Sequence, residues 1–229
     1  LGCTIGTVNN LDRAAFTFTA TNPATNAITG APNAPVNIPP LGTASFVIAL
    51  APNQGIAPED YKFAFTCENG GLAPAYSGLN TLLFSASNGD VPDVIALAGT
   101  IGNTGVVKAR KATDAPDAPL GVFVVATSNI GVGSTIRVSP VIKVPQAGVS
   151  VSVCETNPAT GACLAWPPTP TVTTQMGQNT TSSFSFFVNN NTGAPITYAP
   201  ATNRIVVNFE DMESAPAGTI RGATSVALQ

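Results

Sequence analysis

APEDYKFAFTC (57–67) and APATNRIVVNF (199–209) align without a gap, setting Lys62 on Arg204 and Cys67 on Phe209. Tyr61, Phe63, Phe65 and Cys67 alternate with Lys62, Ala64 and Thr66. Ile205, Val207 and Phe209 alternate with Arg204, Val206 and Asn208. A period of two puts one set of side chains on one face of a pleated strand. Both stretches are therefore expected to be strands with an apolar inner face. Working outward, further landmarks recur in the same order. ASFVIAL (44–50) matches SSFSFFV (182–188), and TNPAT stands at both 21–25 and 156–160. Downstream, APA recurs at 73–75 and 215–217, followed by SGLNTLLF (77–84) and RGATSVAL (221–228). Ordered recurrence of this kind is the mark of a duplicated module.

Composition fixes the class of that module. The chain has 229 residues, of which only 9 % are charged, against about 25 % in an ordinary soluble domain. Wet helix faces are normally built from Glu, Lys and Arg, and these are scarce. Thr and Val favour the half-buried surface of a sheet. Pro and Gly punctuate the chain at roughly the 8–12-residue spacing of sandwich strands. The expectation is an all-β chain of two tandem Ig-like β-sandwiches, residues 1–92 and 93–229. Disorder is disfavoured, since 44 % of the residues are hydrophobic. No apolar run approaches the ~18 residues of a membrane helix, so no membrane span is expected. The net charge of −3 argues against nucleic acid as a partner.

The four cysteines read as two disulfides. Cys154 and Cys163 close a short loop, leaving Cys3 and Cys67 as a long-range pair. Cys67 lies in the inward set, so its bond should lie within the sandwich. Without His or a C-x-x-C spacing, a zinc site is not expected. Disulfides point to an oxidising compartment, hence an extracellular or cell-surface protein. No signal peptide is visible at Leu1, which implies either its removal or a piece of a longer precursor.

The copies are not equally complete. Ahead of its TNPAT, the second carries 93–153, with strand-like runs DVIALAGTI (93–101), GVVKAR (105–110), GVFVVATSN (121–129) and STIRVSP (134–140). The first carries only residues 1–20 ahead of its own. DVIALAGTI is expected to be the first strand of the second module. A sandwich lacking its first strands exposes an unpaired edge. The chain begins inside a precursor, or copy one is a smaller sandwich, or a neighbouring subunit supplies a strand.

CETNPATGACLAWPPTPTV (154–172), APATNRIVVNFED (199–211) and RGATSVAL (221–228) together resemble a recurrent Ig-like module of large secreted and surface proteins of Gram-negative bacteria. VPDVIALAGT (91–100) and GLNTLLFSAS (78–87) resemble other segments of that group. The resemblance implies an Ig-like sandwich outside the cytoplasm and no particular ligand.

Candidates for chemistry are few. With no His, a Ser-His-Asp triad is impossible. A Ser-Lys pair would need Lys62, Lys108, Lys111 or Lys143, and no recognised motif surrounds them. No enzyme activity and no cofactor are expected. Glu210, Asp211 and Glu213 are weak calcium candidates through hard oxygen ligands, against the favoured reading of a solvated turn. Asp90 with Asp93 and Asp114 with Asp117 are looser ones. Trp166, the one tryptophan, is a possible binding residue, against the favoured reading that it packs over the Cys154–Cys163 bridge. Asn179 and Asn190 fit the glycosylation acceptor pattern weakly. The expected function is a structural subunit of a bacterial filament, appendage or surface layer, partnered by itself or by neighbouring domains of a larger surface protein. The alternative is a glycan- or protein-binding module of an adhesin.

Overall fold

The computed structural model describes residues 1–8, 13–111, 113–115 and 121–229. Asp117 lies outside them. The fold is all-β, with two compact units, Leu1–Asn88 and Gly89–Gln229. Both disulfides, Cys3–Cys67 and Cys154–Cys163, are formed.

The first unit holds β1 (Thr4–Thr7), β2 (Ala14–Thr21), β3 (Ser45–Pro52), β4 (Ile56–Cys67), β5 (Gly71–Leu72) and β6 (Thr81–Ala86). β1 pairs with β4 on one edge, and β5 and β6 pair with β4 as well. β2 and β3 form a sheet of two strands. Ile5, Phe18, Tyr61 and Phe63 are the buried core, with Phe16, Phe46, Ile48, Leu50 and Phe84 only partly covered around it.

The second unit holds β7 (Val94–Thr100), β8 (Val106–Val107), β9 (Arg110–Lys111), β10 (Val122–Asn129), β11 (Ser134–Ile142), β12 (Val149–Thr156), β13 (Val172–Met176), β14 (Thr180–Asn190), β15 (Arg204–Asp211) and β16 (Thr219–Leu228). One sheet runs β12-β14-β10-β7, with β9 parallel on β14, and the other runs β13-β11-β15-β16-β8. DVIALAGTI is the edge strand β7, as expected, ending in a 3-10 turn at Ile101–Asn103. The alternation read from sequence faces inward: Ile205, Val207 and Phe209 are fully buried, and so are Phe184 and Phe186 of β14. Phe123 stacks on Phe186 with ring centroids 4.6 Å apart.

The two TNPAT turns form matching sets of hydrogen bonds. After β2, the Asn22 side-chain oxygen accepts the Ala24 N–H at 2.8 Å, and the Asn22 N–H donates to the Ala27 carbonyl at 2.8 Å. After β12, Asn157 accepts Ala159 N–H at 2.9 Å and donates to the Ala162 carbonyl at 2.9 Å. The left-handed residue of each turn is Asn26 (φ 58°) and Gly161 (φ 71°), residue types that tolerate that region. Thr21 bridges Ile28 as Thr156 bridges Cys163. Thr21 Oγ1 meets Ser45 Oγ at 2.8 Å, and Thr156 Oγ1 meets Ser183 Oγ at 2.7 Å. β2 and β3 therefore stand where β12 and β14 stand.

In the other sheet, Thr4 pairs Thr66 as Ser139 pairs Asn208, and Ile5 pairs Phe65 as Pro140 pairs Val207. β1 corresponds to β11 and β4 to β15. The Cys3–Cys67 bond, with Cα atoms 4.0 Å apart, occupies the place of the Val138–Phe209 cross-strand pair. Nothing among the described residues of the first unit stands in the place of β10 or β7.

Candidate functional site

Among the described residues, two places present groups suited to recognition. The first is the outer edge of β3. The Asn53 N–H donates to the Arg13 carbonyl at 3.0 Å. In an antiparallel ladder the backbone groups of successive residues point to opposite sides. The odd residues of β3 thus bond to β2, and Phe46, Ile48 and Leu50 turn their N–H and C=O groups to the far edge. Among the described residues that edge has no strand on it. The same edge of β14 is taken by β10, with Val122 opposite Phe187 through to Asn129 opposite Thr180. With no strand there among the described residues, part of the facing sheet is uncovered. Phe65 is 40 % exposed, whereas Val207, its counterpart, is 0 % exposed.

The second place is a groove of about 370 Å³ on the outer side of the β12-β14 sheet, lined by Arg110, Ser152, Trp166, Pro168, Phe187 and Asn189 among others. Its wall is made by the segment after β12. The Cys154–Cys163 bond and the Val153–Thr169 bridge fold that segment back along the sheet. Trp166 is 74 % exposed, and its indole meets Phe187 edge-on with centroids 6.0 Å apart. The outward-facing Phe187 of β14 gives the ring an aromatic seat. Arg110 carries no ion pair among the described residues. Exposed indole, guanidinium, hydroxyl and carboxamide on one groove can stack on a ring and hydrogen-bond its substituents.

Glu210 and Asp211 end β15 while Glu213 lies exposed in the bend that follows, and the three carboxylates take separate partners. Glu210 accepts the Arg137 Nε–H at 2.6 Å. Asp211 is fully buried, accepting from Ser134 Oγ at 2.5 Å and from the Glu213 N–H at 3.1 Å, with Arg221 Nε 3.6 Å away. Glu213 accepts from Thr135 and from Gln175. Among the described residues no three His, Cys, Asp or Glu side chains are grouped to hold a metal. Burial alone would push the Asp211 carboxyl up, but the Ser134 and Ser214 side chains and the Glu213 and Ser214 N–H groups hold it below the usual carboxylate range. Burial lowers the Arg204 guanidinium below its ordinary value. Asn190 is buried and bonded to Ala194, Thr192 and Gly193, so it is no glycosylation acceptor.

Sequence reasoning missed Asn129. Fully buried at the end of β10, its side chain donates to the Val132, Met176 and Gly177 carbonyls and accepts the N–H groups of Asp93 and Gly131. Nothing in its local pattern marks it out, because its partners lie up to 48 residues away.

The chain matches no protein-family model and no curated protein. Among solved structures it is similar to the major pilin subunit BcpA of Bacillus cereus, at 10 % identity and a TM-score of 0.34, covering 99 % of this chain and 68 % of that one. It is similar also to CfaE, the adhesive subunit of CFA/I fimbria of enterotoxigenic Escherichia coli, at 9 % identity and a TM-score of 0.28, covering 94 % of this chain and 72 % of that one. Both scores lie below the level at which a shared fold follows, so the chain's own geometry carries the functional argument.

Proposed function

We propose that the chain is a non-enzymatic structural subunit of a bacterial surface assembly (filament, appendage or surface layer) built through β-sandwich contacts, including strand addition. Residues 1–92 and 93–229 act as its two Ig-like modules. One observation supports the reading: among the described residues, the sheet that has four strands in line in the second unit has two in the first, with a backbone edge and partly covered apolar residues beside it. Such an edge pairs with another chain unless it is blocked. A Thr- and Asn-rich surface with few charges also costs little to desolvate on lateral packing. Two disulfides support an oxidising, extracellular setting. Electron microscopy and light scattering of concentrated purified protein test this. Concentration-dependent assembly is the expected result, and monodisperse monomers throughout would overturn it.

The Trp166 groove favours a second reading, a glycan-binding module of a larger adhesin. Glycan-array binding that disappears in Trp166→Ala, with the melting temperature unchanged, would favour it over assembly.

A further inference from the structure

We propose that the Trp166 groove binds an acidic saccharide, a pyranose laid on the indole face with its carboxylate on the Arg110 guanidinium. This deepens the glycan-binding reading and rests on it for the sugar. The charge of the ligand follows from the groove itself.

Strand register sets the floor of the groove. Phe187 of β14 lies between Ser152 of β12 and Val122 of β10. Two residues along β14, Asn189 pairs with Arg110 of β9. Phe187 and Asn189, two residues apart, share the outer face of the sheet. With a rise of about 3.3 Å per residue and strands about 4.8 Å apart, the Arg110 Cα stands about 8 Å from that of Phe187. A single pyranose ring and its exocyclic carboxylate cover a distance of that order. The indole meets Phe187 at 87° between ring planes, so the contact uses a rim and leaves a flat face of the exposed Trp166 open. The C–H groups on one side of a pyranose carry partial positive charge and suit the negative face of such a ring.

The polar groups of the groove state the ligand's charge. They are the Arg110 guanidinium, the Trp166 indole N–H, the Ser152 hydroxyl and the Asn189 carboxamide. Among the described residues none of these side chains forms a hydrogen bond or an ion pair. Elsewhere the carboxamides are tied to backbone carbonyls, as those of Asn129, Asn190 and Asn203 are. Guanidinium and indole only donate, and among the described residues no carboxylate lines the groove. A groove rich in donors takes a ligand rich in acceptors. The planar fork of an arginine fits a carboxylate through two parallel N–H···O bonds. Lys111 pairs with Asn190 and lines a different groove, so Arg110 is the cation that a carboxylate would meet here. A phosphate backbone would need a track of cations, and the chain carries a net charge of −3.

Trp166 is the only tryptophan of the chain, so its fluorescence reports on this groove. The whole chain is titrated with trigalacturonate, trimannuronate and sialyllactose, with the methyl ester of each, and with a thymidine oligonucleotide. At least one acidic sugar should shift the emission saturably at millimolar concentration or below. Its methyl ester should bind at least about ten-fold more weakly, the loss expected when a charge-assisted bond is removed. Added salt should weaken the acid and leave the ester unchanged. Arg110→Gln should bring the acid down to the affinity of the ester. Trp166→Ala, followed by calorimetry, should abolish binding of both with the melting temperature unchanged. The comparison of acid with ester uses the unaltered chain and decides the matter even where a variant misfolds. Acid and ester binding equally, or acid binding unmoved by Arg110→Gln, would overturn the proposal and leave a neutral glycan groove standing. No response to any saccharide at millimolar concentration, or an oligonucleotide that binds more tightly than all of them, would sink the proposal and the glycan reading together.

Discussion

Asp211 and Asn129 tie the second unit together in the same way: each is a buried polar side chain whose bonds reach separate segments. The Asp211 carboxyl titrates below its ordinary value in the folded chain. A depressed folded value contributes stability above the unfolded pKa of about 3.9, lost as pH falls through the folded value. Urea unfolding followed between roughly pH 6 and 2 should therefore show stability declining on the acid side of about 4. Asp211→Asn should lower the plateau and flatten that decline. It leaves Arg221 facing a neutral group and Ser134 with a weaker acceptor, each step costing on the order of 1–3 kcal/mol. An unchanged acid slope in Asp211→Asn would show that other carboxylates set it. Sequence inspection could not separate this carboxylate from Glu210 and Glu213. The three look alike along the chain, and what distinguishes Asp211 is Ser134, 77 residues away. Ile205, Val207 and Phe209 were legible because alternation is local. The seat of Trp166 was not legible, because Phe187 belongs to a strand that local pattern does not bring near.

At the scale of elements, the two turns after β2 and β12 use one set of hydrogen bonds, yet only the second is closed by a disulfide. Thr19 and Ile28 occupy the places of Cys154 and Cys163, with Ile28 68 % exposed and free to be replaced. The double variant Thr19→Cys/Ile28→Cys should oxidise spontaneously and stabilise the first unit by about 2–3 kcal/mol, the chain-entropy value for a loop of roughly ten residues. Thiol titration and thermal unfolding measure both. A bond that forms without raising the midpoint would mean that the turn is already rigid in the unfolded ensemble. In β16, a Cβ on Gly222 would lie 2.1 Å from the Val94 carbonyl oxygen. Gly222→Ala should therefore lower the unfolding midpoint by driving β7 from β16, an overpacking effect of about 1–3 kcal/mol. The strands themselves were readable in the sequence. The split of the β16 counterpart into β5 and β6 was not, since it depends on how the 73–80 segment leaves the sheet.

Taken whole, the molecule has two units with unequal cores. The second unit encloses its aromatic and aliphatic residues between two sheets of five strands each, and the first keeps four buried apolar residues in its cluster and leans on Cys3–Cys67. That bond closes 64 residues and is worth about 4 kcal/mol in the chain-entropy account. Reduction should make the first unit unfold at clearly lower denaturant than the second, splitting the transition in two. Hydrogen exchange assigns each phase to its unit, and a single unchanged transition after complete reduction would refute the inequality.

Cys3–Cys67 also sets how the chain behaves when it is pulled. Tension applied at either end of the first unit reaches the sulfur–sulfur bond before it can peel β2 or β3 away. The residues enclosed by the bond stay out of the stretched length, withholding roughly 200 Å of slack at about 3.5 Å per residue. Once reduced, the same polypeptide would pay out that slack. The first unit should thus resist extension while the bond is intact and lengthen once thiols reduce it.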